Sequence, residues 1–308
     1  MIRMQSFLAM MVMICGLYAA ERPGVVVTTY PLYEVVNRVG GESVRLEKVL
    51  PYGTDIFTFR PTPATMVALS RADLFVYNGA GLEPWSEQLL TNLKATTRAV
   101  DMSRSVTLLG HEAQGHDDHD DHDAHEGHDH HHGPVDPHYW LDIDNMIAMT
   151  RRTEGLLAEL LPEAAERFRA NGDRFVKELE ALRREYRSAL HDCRRHHLVS
   201  NHDAFAYLAH DYGFETLAVT GLSPDQQPSA KAMAEVLRLV QEEGIRTIFF
   251  EAFVNDSVSR TLARETGAAV SSLQPLANLS ADEAASNENY ITIMRKNLAK
   301  IAEALECH

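Results

Sequence analysis

Short β-branched and aromatic runs alternate with helical stretches along most of the chain, and this alternation is the strongest constraint on its fold. Val25-Val26-Val27-Thr28-Thr29-Tyr30 reads as a strand. Leu32 to Val39 reads as a helix closed by Gly40-Gly41, and Val44 to Leu50 as a second strand. Ala64 to Arg71 is helical, and Ala72 to Tyr77 is a third strand stopped by Asn78-Gly79. Alternation of this kind builds a mostly parallel sheet with helices on its faces. A second series begins near residue 198. It runs through strand Leu198–Ser200, helix Ala204–Tyr212 before Gly213, strand Thr216–Val219 and a loop over Gly221–Ser229. Helix Ala230–Glu243 before Gly244, strand Arg246–Phe250 leading to Glu251, helix Val258–Thr266, strand Ala269–Leu273 and a last helix Asn287–Cys307 complete it. Between the two series Met146 to Leu161 reads as a helix with Asp144 as its cap. Pro162 then opens a new segment, and Phe168 to Leu190 reads as one long amphipathic helix rich in Glu and Arg. The expected fold class is α/β. It has two lobes, each a mostly parallel sheet flanked by helices, bridged by one long α-helix with a cleft between the lobes.

The expected organisation is a signal peptide over 1–20, an N-terminal lobe over 21–143, a helical segment over 144–193 and a C-terminal lobe over 194–308. Arg3 supplies a positive start and Phe7 to Ala20 runs apolar. That stretch is shorter than the roughly 20 residues a membrane span needs, and it has the form of a secretory signal. The mature chain is expected to be exported, to start near Glu21 and to be soluble. Lipid attachment at Cys15 is not expected, because Ile14 is bulky where such a site takes a small residue. Cys193 and Cys307 then remain, either as a disulfide or as two free thiols. The formal net charge of -15 argues against a nucleic-acid partner, since phosphate binding takes clustered Lys and Arg.

Residues 111–133 interrupt the pattern. They hold nine histidines: His111, His116, His119, His122, His125, His128, His130, His131 and His132. Six Asp and two Glu accompany them, with no Lys or Arg. A segment this polar buries too little apolar surface to offset its chain entropy, so a disordered loop is expected. Imidazole with carboxylate suits divalent transition metals, and near pH 7 most imidazoles are neutral and ready to bind.

Two further histidines stand at element ends. His138 lies in Asp136-Pro137-His138-Tyr139-Trp140-Leu141-Asp142, just before a helix. His202 lies in Ser200-Asn201-His202-Asp203-Ala204-Phe205, where a strand becomes a helix. Ligands of α/β sheets bind at the carboxyl ends of strands. A lone histidine there is usually structural. One in each half, beside a histidine-rich segment, reads as a pair of metal ligands.

These segments resemble the metal-binding subclass of periplasmic solute-binding proteins, especially the zinc receptors of ABC transporters. The likeness is carried by Thr29-Tyr30-Pro31-Leu32-Tyr33, Pro61-Thr62-Pro63, Ala72-Asp73-Leu74 and Asn78-Gly79 with Leu82-Glu83-Pro84-Trp85. It continues through the acidic histidine segment, Asp136 to Leu141, His202 to Tyr207, Glu251, and Glu265 with Thr266-Gly267-Ala268. The resemblance implies a metal held between the lobes, capture without catalysis, a monomer, and a membrane permease of a metal ABC transporter as partner. The localisation it implies is periplasmic. It implies zinc as the transported ion, with Mn2+, Ni2+ or Cu2+ not excluded, and His138 and His202 as ligands. Two positions depart from the pattern. Phe57 stands where a first-lobe histidine is implied, and Gln274 where a late aspartate is implied; its amide oxygen is a poor donor for zinc. Asp55 or Glu251 could fill a vacancy, a histidine of 111–133 could close over the site, or that segment could be the main binder. The second of these is the reading preferred on sequence. The alternative function is a periplasmic zinc buffer or metallochaperone that uses mainly the histidine-rich segment. No signature of a zinc hydrolase is present.

Overall fold

The computed structural model describes residues 22–110, 135–222, 230–251 and 257–308. The expected signal peptide, Cys15, the histidines of 111–132 and most of the expected loop at 221–229 lie outside the described residues.

The first lobe is a four-stranded parallel sheet of β1 (Gly24–Val27), β2 (Arg45–Lys48), β3 (Leu74–Tyr77) and β4 (Arg98–Asp101), in the order β2-β1-β3-β4. All four residues of β1, Gly-Val-Val-Val, are buried, as suits a central strand of a parallel sheet covered on both faces. The second lobe repeats the arrangement with β5 (His197–Ser200), β6 (Glu215–Ala218), β7 (Thr247–Glu251) and β8 (Ala269–Leu273), in the order β6-β5-β7-β8. In each sheet the chain reverses its direction of winding between the two central strands. Crevices for ligands open at the carboxyl ends of such strands.

Helices α1 (Tyr30–Gly40), α2 (Pro63–Leu69) and α3 (Ser86–Leu90) belong to the first lobe. Helix α1 starts two residues before the expected Leu32, since Pro31 is tolerated in a first turn. Helix α4 spans Ile143–Leu160, and its cap is Asp142, not Asp144: the Asp142 carboxylate accepts from the Asp144 N–H at 2.7 Å. Helix α5 spans Ala165–Ala189, about 37 Å at 1.5 Å per residue. It buries Phe168, Phe175, Leu179, Leu182 and Tyr186, spaced three, four or seven apart along one face. It packs on α1 and α4 in the first lobe and on α10 (Tyr290–Ala304) in the second, where Tyr186 donates to the Met294 carbonyl at 2.7 Å. One helix glued to both lobes makes a stiff bridge.

Helices α6 (Ala206–Tyr212), α7 (Ala230–Glu242), α8 (Ser257–Thr266) and α9 (Ala281–Ala285) complete the second lobe. The last helix ends at Ala304 because the chain turns so that Cys307 can bond to Cys193, across a sequence separation of 114. Among the described residues no helix is long and apolar enough to cross a membrane.

Candidate metal centre

The two lobes meet along seams of hydrogen bonds. Trp140 donates its indole N–H to the Pro275 carbonyl at 2.7 Å, and Tyr290 donates to the Trp140 carbonyl at 2.7 Å. The Tyr207 hydroxyl accepts from the Leu109 N–H at 3.0 Å and donates to the Asp136 carbonyl at 2.9 Å. Asn278 donates its amide to the carbonyls of Pro51 and Thr54 at 2.6 and 2.9 Å. His138 and His202 sit within this frame.

His202 follows β5 by two residues, and Glu251 is the last residue of the neighbouring strand β7. Both come from the carboxyl ends of the central strands, where the winding of the second sheet reverses. The Ser200 hydroxyl donates to the His202 carbonyl at 2.8 Å, which fixes the turn. His138 comes from the first lobe, in the turn before α4. Asp136 Oδ1 accepts from both the His138 backbone N–H and its ring Nδ1, each at 2.8 Å. That bond puts the proton on Nδ1 and leaves Nε2 as the lone-pair donor, the outer-shell device that orients metal-binding histidines. An Asp two residues before a candidate ligand, as in Asp136-Pro137-His138, is the sequence signal for this role.

The geometry brings the two histidines together. Their ring centroids lie 5.3 Å apart with planes at 56°. With Zn–N of about 2.0–2.1 Å, two imidazoles on one tetrahedral ion have centroids about 5.2–5.4 Å apart. His138, His202 and Glu251 are each at least 98% buried. Neither ring nitrogen of His202 and neither carboxylate oxygen of Glu251 has a hydrogen-bond partner in the structure; Asp136 Oδ2 also lacks one. His202 Nδ1 and Glu251 Oε2 approach to 2.5 Å, yet not in hydrogen-bond alignment. Unpaired buried polar atoms cost several kcal/mol. A cation seated beside them would satisfy one ring nitrogen of His202 and the Glu251 carboxylate together.

Burial, the largest influence on His138, disfavours its charged form. The carboxylates of Asp136, Glu251 and Asp203 outweigh it, and the pKa stands above the ordinary histidine value. A centre with this negative surround attracts protons and metal cations alike.

The other sequence candidates are placed differently. Asp55 turns its carboxylate onto the backbone N–H groups of Phe57 and Thr58, at 2.8 and 3.1 Å. Gln274 donates its amide to both oxygens of Glu283 at 3.0 and 2.9 Å, and its carbonyl oxygen accepts from the Leu276 N–H at 3.2 Å. Phe57 presents its ring to both imidazoles, 6.4 Å from His138 and 6.3 Å from His202. Among the described residues, no three His, Cys, Asp or Glu side chains form a ready metal cage. His138 and His202 thus stand at the separation of two imidazoles on one ion, without a third donor already in coordinating position.

Comparison with known proteins agrees with this architecture. Residues 25–304 match the family described as ZnuA, zinc-uptake complex component A, periplasmic. The zinc-binding lipoprotein AdcA of Streptococcus pneumoniae is 31% identical over 285 residues, covering 92% of this chain and 56% of AdcA. The high-affinity zinc uptake system protein ZnuA of Bacillus subtilis is 31% identical over 285 residues, covering 91% and 87%. The chain thus spans about half the length of the AdcA relatives. The solved Zn(II)-bound ZnuA-like domain of S. pneumoniae AdcA superposes with a TM-score of 0.75 at 29% identity, covering 92% of this chain and 98% of that domain. The laminin-binding protein Lbp of Streptococcus pyogenes superposes with a TM-score of 0.77 at 29% identity, covering 92% and 99%. One relative is named a lipoprotein, so the expectation of an unanchored mature chain gains no support.

Proposed function

The chain belongs to the periplasmic zinc-uptake component A family, and from that premise we propose that it captures zinc between its lobes and passes it to a membrane permease of an ABC-type uptake system. The observation that carries this reading is the buried pair of imidazoles, His138 and His202, with centroids 5.3 Å apart, beside a Glu251 carboxylate that has no hydrogen-bond donor. His138 binds through Nε2 while Asp136 holds its Nδ1. His202 binds through a ring nitrogen, and Glu251 supplies the anionic charge. No bond is made or broken in the cargo, so the protein acts as a reversible receptor and not as an enzyme. It works outside the cytoplasm, as a monomer. Hydrogen bonds tie the lobes on both flanks and α5 packs on both, so capture proceeds by closure of side chains more than by wide opening of the lobes.

A second reading is favoured by one observation: among the described residues no group of three His, Cys, Asp or Glu stands ready to hold a metal. In it the nine histidines of 111–132 are the main binders and the protein is a zinc buffer or metallochaperone. Calorimetric titration with zinc, of the chain with and without residues 111–133, separates the two. One tight site that survives the deletion supports the receptor; loss of all tight binding supports the buffer.

A further inference from the structure

We propose that Phe57 is the specificity-determining residue of the centre: its ring walls the first-lobe side, so the site takes ions content with few ligands and rejects ions that need a six-oxygen shell. This inference rests on the receptor reading above.

The ring stands 6.4 and 6.3 Å from two imidazoles that are themselves 5.3 Å apart. An ion between the imidazoles therefore has an aromatic surface as its neighbour on that side. That surface supplies no lone pair, and it takes the room that water would occupy. The donors left are two nitrogens and one carboxylate. Zinc accepts four-coordinate sites with nitrogen donors readily, and one exogenous ligand would complete the set. Manganese and magnesium favour octahedral oxygen shells, and magnesium sheds water reluctantly. The wall works against both by denying them room for water.

The wall is also fixed. The Phe57 N–H is held by Asp55 at 2.8 Å. The preceding Ile56 carbonyl accepts from the Trp85 indole N–H at 3.3 Å. Phe59 packs edge-on to the same Trp85, with centroids 5.0 Å apart. Asn278 of the second lobe grips the Thr54 carbonyl at 2.9 Å. These contacts hold the backbone on both sides of Phe57, and so fix where its side chain enters the site.

The test is competition titration of the full chain with Zn2+ and with Mn2+ against chelators, for wild type, Phe57→Ala and Phe57→Leu. Far-UV circular dichroism confirms folding of each. Phe57→Ala opens room for water, so manganese affinity should rise at least 10-fold relative to zinc. Phe57→Leu keeps the side apolar and should hold the wild-type ratio within about 3-fold. A zinc-to-manganese ratio unchanged in Phe57→Ala would overturn the proposal. So would an equal rise in both variants, which would trace the effect to packing alone. Tight zinc binding that ignores His138→Ala and His202→Ala, measured alongside, would defeat the receptor reading instead.

Discussion

Glu83 lies 3% exposed at the carboxyl end of the first sheet, and it should make the stability of the zinc-free protein fall as pH rises. Its carboxylate accepts from the Thr28 hydroxyl at 2.5 Å, the Asn78 N–H at 2.8 Å and the Gly79 N–H at 3.0 Å. Gly79 is required there, because its φ is +74° and a Cβ would lie 1.9 Å from Asp101 Oδ1. Burial pushes the Glu83 carboxyl up to about 7 from its ordinary 4.5, against the lowering effect of those three hydrogen bonds. Between these two values the folded protein holds a proton that the unfolded chain has released. The contribution of Glu83 to stability is therefore fully present below about pH 4.5 and declines until about pH 7. From pH 5 to pH 8 the loss from this one group comes to about 2–3 kcal/mol, at 1.36 kcal/mol per pKa unit. Glu83→Gln removes the ionisation at a pH-independent cost of about 1–3 kcal/mol for a mismatched acceptor. Urea unfolding of both proteins with chelator present, at pH 5 and pH 8, gives the comparison. The gap between variant and wild type should shift by about 2–3 kcal/mol in favour of glutamine at the higher pH. An equal gap at both values would refute the assignment of a raised pKa to Glu83. The site also feels this network, since Tyr139, next to His138, donates to the Asn78 carbonyl at 2.8 Å.

Asp136→Asn should weaken zinc binding by about 10- to 100-fold while the fold persists, because the asparagine no longer fixes the His138 tautomer; chelator competition reads this directly. Reduction of Cys193–Cys307 should lower stability by about 2–5 kcal/mol, given the 114-residue separation it closes. Thermal unfolding with and without reductant measures it, and an unchanged midpoint would mean that the bridge constrains the unfolded chain little.

The fold was legible because central strands such as Val25-Val26-Val27 are continuous apolar runs, and because Gly213 ends α6 where sequence placed its end, with Gly244 one residue further from the end of α7 than expected. Strand β4 was not legible. Arg98-Ala99-Val100-Asp101 is an edge strand with only Val100 buried, so it shows neither an apolar run nor alternation. Helix α9 went unread although Ser280 and Glu283 form a reciprocal capping box that its sequence displays. The pairing of Cys193 with Cys307 depended on where α10 ends, which periodicity does not fix. At the centre, His138 and His202 were visible as histidines at element ends. The approach of His202 to Glu251, the hold of Asp136 on His138 and the hydrogen bonds that occupy Asp55 and Gln274 are matters of orientation, and no spacing in the sequence encodes them.

The central claim is that His138 and His202 jointly hold the captured ion. Zinc titration of the double variant His138→Ala with His202→Ala, beside the wild type, tests it most directly. The account predicts that the tightest zinc site disappears, with only weak, multiple binding left. Retention of that site at wild-type affinity would contradict it.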